Sequence, residues 1–218
     1  MTSENITVTV DELVARAERL AGTGRRCILG IVGTPGAGKS TIAARIVDAL
    51  GDRAVLVPMD GYHLANEVLI DLGRRERKGA PDTFDAYGYI SLLRRLADQD
   101  PNEIVYAPKF HREIEESFSS ELPIPPDVPL VVTEGNYLLL DDEPWCEIAA
   151  LLDESWFLEP DEELRMDRLT ARHMEFGKTE AEARAWSTGS DENNAAIIRA
   201  SAPNADLIIT VIEDSSGT

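Results

Sequence analysis

Two apolar patterns alternate along the 218 residues. Short runs at 27–32, 54–59, 104–107, 128–133, 154–158 and 207–212 predict strands, and the continuous apolarity of 128–133 is what burial on both faces of a sheet requires. Between them, helix-spaced apolar positions predict helices from Thr9, then over 39–50, 62–73, 85–98, 144–152, 162–176, 180–186 and 191–200. Thr9 and Glu12 have the spacing of a capping box, with Leu13, Ala17 and Leu20 on one face, and Gly22-Thr-Gly24 ends that helix. In helix 85–98, Ile90, Leu93 and Leu96 face the core. Pro58 falls inside 54–59 and is tolerated only near a strand end. Residues 74–84 read as an irregular loop, and the acidic, Pro-ended stretch 112–126 as a protrusion or hairpin.

Strands alternating with helices predict an α/β domain spanning 1–218: a mainly parallel five-stranded sheet with helices on both faces and a lid near 162–190. The 43% hydrophobic content is ordinary, and no apolar run approaches the roughly 20 residues of a membrane span. The first 25 residues lack a signal pattern, so a cytoplasmic location is expected. Cys27 in a strand and Cys146 in a helical segment indicate no disulfide framework. A net charge of −19 would repel nucleic acid and anionic membranes, so neither is expected as a partner. A homodimer is compatible with the chain.

The strand at 27–32 and the helix at 39–50 flank Gly33-Thr34-Pro35-Gly36-Ala37-Gly38-Lys39-Ser40-Thr41. Gly33-x4-Gly38-Lys39-Ser40 in that setting is a phosphate-binding loop. Glycines let backbone N–H groups turn inward around phosphate oxygens, and the helix start adds unpaired donors. Lys39 brings charge to the β and γ phosphates of a nucleoside triphosphate such as ATP, and Ser40 a hydroxyl to Mg²⁺. Such a loop predicts the three-layer fold of P-loop nucleoside triphosphatases. In a parallel sheet, ligands sit beyond the carboxyl ends of the strands, where Asp60 and Glu134 also fall. Glu134 closes an apolar strand, where an acid would hold the metal, and Asp60 would accept a proton from an attacking hydroxyl or else cap a helix.

Gly-Thr-Pro-Gly-Ala-Gly-Lys-Ser-Thr, Met-Asp-Gly-Tyr-His, Arg-Lys-Gly-Ala-Pro-Asp-Thr-Phe-Asp, Tyr-Ala-Pro-Lys-Phe-His-Arg, Glu-Gly-Asn-Tyr-Leu-Leu-Leu and Arg-Leu-x-x-Arg-His occur in that order. Together they resemble the uridine kinase, phosphoribulokinase and pantothenate kinase superfamily, in particular its bacterial nucleoside/nucleotide kinase-like or fructose-transport-system kinase branch. The resemblance implies an ATP- and Mg²⁺-dependent kinase acting on a hydroxyl of a small molecule. It implies that Asp60 is the base, that Glu134 and Ser40 hold the metal, and that Lys39 anchors the triphosphate. Tyr62, His63, Asp82, Phe84 and Asp85 would contact the acceptor, a nucleoside or sugar first and pantothenate second.

Arg74, Arg75, Arg77 and Lys78 form a dense basic cluster, either a solvated face or cations for an acceptor with its own phosphate or carboxylate. Lys109, His111 and Arg112 invite the same reading. Arg165, Arg168 and Arg172 share one helical face at the position of the family's lid, whose arginines reach the transferring phosphate. Arg168 and Arg172 are the preferred catalytic pair, the rival being ion pairing with Asp161, Glu162 and Asp167. Where relatives carry Arg-Gly-Arg after this helix, the chain reads Phe176-Gly177-Lys178. A regulatory nucleotide switch would need a guanine-reading segment, and no Asn-Lys-x-Asp occurs.

Overall fold

The computed structural model describes residues 3–175, 179–188 and 190–212, the side chains at 172, 173, 185–188, 190, 191 and 193 excepted. Its central sheet has six parallel strands: β1 (Glu4–Thr9), β2 (Cys27–Gly33), β3 (Ala54–Leu56), β6 (Leu130–Gly135), β7 (Glu154–Leu158) and β8 (Leu207–Ile212). They lie in the order β1-β8-β7-β2-β6-β3. The strand beyond the expected five is β1, whose Ile6 and Val8 pack on the core while its polar residues face out. Thr9 ends it and caps α1 (Val10–Ala21) by the expected capping box.

Strand periodicity divides the core. Ile28 and Val32 of β2 face a cluster with Tyr89, Ile90, Leu93 and Leu96 of α4 (Ala86–Ala97). Leu29 and Ile31 face the other, with Leu13 and Ala17 of α1 and Ile42, Ala43 and Ile46 of α2 (Lys39–Leu50). With helices on both faces, the site opens only at the edge where the strands end.

Three segments depart from expectation. Pairing of β3 stops where Pro58 lacks an N–H, and a 3₁₀ turn follows at Met59–Tyr62. The helix expected over 62–73 shrinks to α3 (Asn66–Asp71), and that over 144–152 to 3₁₀ turns at Trp145–Glu147 and Ala149–Leu151. The strand expected over 104–107 extends as β4 (Val105–His111) and pairs antiparallel with β5 (Glu116–Ile124), outside the main sheet. This hairpin abuts the 3₁₀ turn so closely that a Cβ on Gly61 would collide with the Pro108 carbonyl. Helices α5 (Glu162–Glu175), α6 (Glu180–Thr188) and α7 (Ser190–Ala200) follow β7.

Candidate active site

The phosphate-binding loop runs from the end of β2 into α2, with Gly36 and Gly38 at φ 86° and 90°. L-residues pay for that conformation, and no side chain caps α2, so its first N–H groups are available to an anion. Lys39 is buried and folds back onto the loop, Nζ donating to the carbonyls of Gly33 at 2.8 Å and Thr34 at 3.1 Å. Ser40 Oγ donates to Glu134 Oε1 at 3.2 Å. Burial raises the Glu134 pKa, the charge of Asp60 adds to this, and Lys39, Ser40 and Arg112 oppose it. Two hard oxygen donors side by side suit Mg²⁺, which takes one or two protein oxygens and fills its octahedron with phosphate and water. Among the described residues no larger cluster of His, Cys, Asp and Glu offers a closed metal cage.

Asp60 lies in the 3₁₀ turn after β3, and Arg112, just past β4, donates to its Oδ2 at 2.8 Å. Pro58, not Asp60, occupies the cap position of that turn. His63 donates through Nδ1 to the Asp60 carbonyl at 2.8 Å, since a carbonyl can only accept, leaving Nε2 as the acceptor of the neutral ring. Its imidazole stacks on Phe110 at 4.5 Å and packs against Phe84 at 4.0 Å. Tyr62 packs against Tyr89, and burial first of all pushes its pKa up to about 12, so it is a neutral hydroxyl. Phe110 carries no signal by itself in the sequence; its place in Pro-Lys-Phe-His-Arg is the available hint.

Several expected acceptor contacts are committed elsewhere. Asp85 caps α4 by accepting from the Gly88 N–H at 2.9 Å. Phe84 is core, edge-on to Tyr137 and Trp145. Asp82 is clasped by Arg77 at 2.6 Å and Arg74 at 3.4 Å. Lys109 pairs with Glu121 at 3.5 Å, and His111 sits between Glu113 and Glu121. Those two side chains therefore fasten the hairpin to itself, whereas Arg112 turns to Asp60.

On α5 the rival ion-pair reading holds for Arg165, whose buried guanidinium donates to Glu162 at 2.5 Å, Glu192 at 2.7 Å and the Pro35 carbonyl at 3.1 Å. Arg168 Nη1 lies 3.6 Å from where a Cβ on Gly38 would stand, beside the phosphate loop. The side chain of Arg172 and the turn at 176–178 lie outside the described residues.

Known proteins share this layout. A family model described as Phosphoribulokinase / Uridine kinase family matches residues 28–216. A Schizosaccharomyces pombe protein named "putative uridine kinase" is 30% identical over 213 residues, 91% of this chain and 89% of that protein. A crystal structure described as "putative fructose transport system kinase" from Silicibacter sp. TM1040 is 33% identical at TM-score 0.82, covering 92% of this chain and 98% of that one. Phosphoribulokinase from Rhodobacter spheroides shares the fold at TM-score 0.59 and 14% identity, over 88% of this chain and 73% of that one. With matching fold, loop and family pattern over nearly its whole length, the chain belongs to the phosphoribulokinase/uridine kinase family of P-loop kinases.

Proposed function

We propose that the protein transfers the γ-phosphoryl group of ATP to a hydroxyl of a small nucleoside- or sugar-like metabolite in the cytoplasm, with Mg²⁺. The supporting observation is that β3, β6 and β2 are neighbours in the sheet and carry Asp60, Glu134 and the Lys39–Ser40 pair beyond or at their ends. Loop N–H groups and Lys39 hold the triphosphate once the lysine leaves its carbonyls. Ser40 and Glu134 would hold Mg²⁺, which when bound would offset charge on the phosphate groups. Asp60 takes the hydroxyl proton as the acceptor oxygen bonds to the γ-phosphorus and the bond to the β-phosphate oxygen breaks, releasing ADP. Arg168, which lies beside Gly38, would balance charge on the transferring group. Arg172 keeps its family role as part of the proposal.

A coupled ADP-release screen over nucleosides, free sugars, sugar alcohols and vitamin precursors tests this. Acceptor-dependent ADP release with a phosphorylated product supports it. Hydrolysis indifferent to every metabolite but raised by a protein would instead favour a regulatory switch, and turnover of pantothenate alone the pantothenate kinase reading.

A further inference from the structure

In a chain of net charge −19, cations without a partnering carboxylate are informative. Several basic residues of the 74–78 and 109–112 segments are paired locally: Arg74 and Arg77 with Asp82, Lys109 and His111 with Glu121. Two are not. Half-buried Lys78 donates to the neutral oxygens of Asn66 Oδ1, at 2.8 Å, and the Glu115 carbonyl, and among the described residues it makes no ion pair. The nearby Glu116 carboxylate accepts from the Asn66 N–H at 2.9 Å rather than contacting the ammonium directly. Burial lowers the Lys78 pKa and the charge of Arg75 adds to this, while Glu116 and Glu115 oppose it. Its Nζ stands 5.4 Å from the Phe110 ring, which stacks on His63 beside Asp60.

Arg112 is the second. Its one carboxylate partner among the described residues is Asp60, which a substrate hydroxyl must also reach. At 45% exposure the arginine is open to solvent, and any acceptor that engages Asp60 competes with it. A neutral alcohol would displace a charge-assisted bond and return nothing to the guanidinium; an acid-bearing one supplies a replacement anion.

We propose that the acceptor is an alcohol bearing its own oxyanion, a carboxylate or a phosphate, seated between Arg112 and Lys78 while its hydroxyl faces Asp60. This rests on the kinase reading and narrows it: Arg112 covers Asp60 until an acceptor of the right charge exchanges for it. Neutral nucleosides and free sugars are then poor acceptors, and Arg112 and Lys78 set specificity.

The test uses matched pairs in the coupled assay: glycerate against glycerol, pantothenate against pantothenol, ribose 5-phosphate against ribose. The acid-bearing member of at least one pair should exceed its neutral partner by about 100-fold in kcat/KM, as for a site built around a polar group. The productive pair tells carboxylate from phosphate. Arg112→Gln should raise the KM for that acid at least about tenfold with the KM for ATP unchanged, and Arg112→Lys should recover part of the loss. Equal turnover of a neutral partner, or an unmoved acceptor KM in Arg112→Gln, would overturn the proposal. Inorganic sulfate, followed by the His63 ring resonances, probes the subsite without turnover. A saturable shift in the wild type that is lost in Arg112→Gln supports the subsite, and no shift overturns it. Loss of ATP binding would strike the kinase reading alone, because the sulfate titration needs no nucleotide.

Discussion

The Arg165 guanidinium, 1% exposed, donates to the Pro35 carbonyl at 3.1 Å, tying α5 to a phosphate loop 130 residues earlier. Its backbone is as close: a Cβ on Gly36 would stand 2.7 Å from the Arg165 carbonyl oxygen. With Glu162 and Glu192 on the same guanidinium, one side chain fixes α5, α7 and the loop relative to each other.

Arg165→Ala is therefore expected to destabilise the fold and weaken nucleotide binding together. The arginine is buried but its partners are 61% and 37% exposed, so the cost falls below that of a fully buried pair, at about 2 kcal/mol. For a domain of this size that is about 6 °C in Tm. Calorimetry without ligand and titration with ATP would measure both; an unchanged ATP affinity would remove the coupling.

Beneath the site, the Tyr89 hydroxyl donates to Thr133 Oγ1 at 2.5 Å, and Thr133 donates to the Val57 carbonyl at 2.6 Å. Thr133 is buried between β3 and α4, next to Glu134. Tyr89→Phe removes one donor and leaves Thr133 its other bond, at a cost of about 1 kcal/mol. Thr133→Val strands both the Tyr89 hydroxyl and the Val57 carbonyl and should cost about 2 to 3 kcal/mol. Urea unfolding of the two variants checks the order, which a dominant effect of the Tyr89 ring would reverse.

His63 gives the protein a pH-dependent component of stability. Burial, then the charges of Lys78 and Arg112, depress its pKa below 6.5, while the charge and carbonyl of Asp60 oppose them. Below that value the unfolded chain binds a proton that the folded chain refuses, so this contribution is full above about pH 6.5 and is lost as pH falls. His111 has the opposite sign: Glu121 and Glu113 raise its pKa, and its contribution is lost as pH rises. Comparison with His63→Gln isolates the first effect. Between about pH 7.5 and about pH 5.5 the variant should lose less Tm than the wild type; equal losses would contradict the assignment.

How much of the fold is legible in the sequence follows from how local each cause is. The bounds of α2 are those expected, because Lys39 follows the loop and Gly51 ends the helix. β7 and β8 likewise match, their apolar runs being flanked by polar residues. β1 has a faint signature, since only Ile6 and Val8 carry its alternation, and Thr9 reads equally as the next helix's cap. Strand β4 is visible in the sequence, but not that it pairs with β5 rather than joining the sheet.

Within the site, Lys39, Ser40, Asp60 and Glu134 stand out because strand ends locate them. Asp82 pairs with Arg77 and Asp85 caps α4, and an acid near a site and an acid that pairs or caps look alike in sequence. The engagement of Arg112 with Asp60 spans 52 residues and has no local signature.

Asp60→Asn is the sharpest probe of the proposed chemistry. The amide keeps the shape of the side chain but cannot take the hydroxyl proton. ATP affinity by titration should stay within about twofold of wild type while acceptor-dependent ADP release falls by about 100-fold or more. Full turnover in Asp60→Asn would remove the proton acceptor on which the mechanism depends.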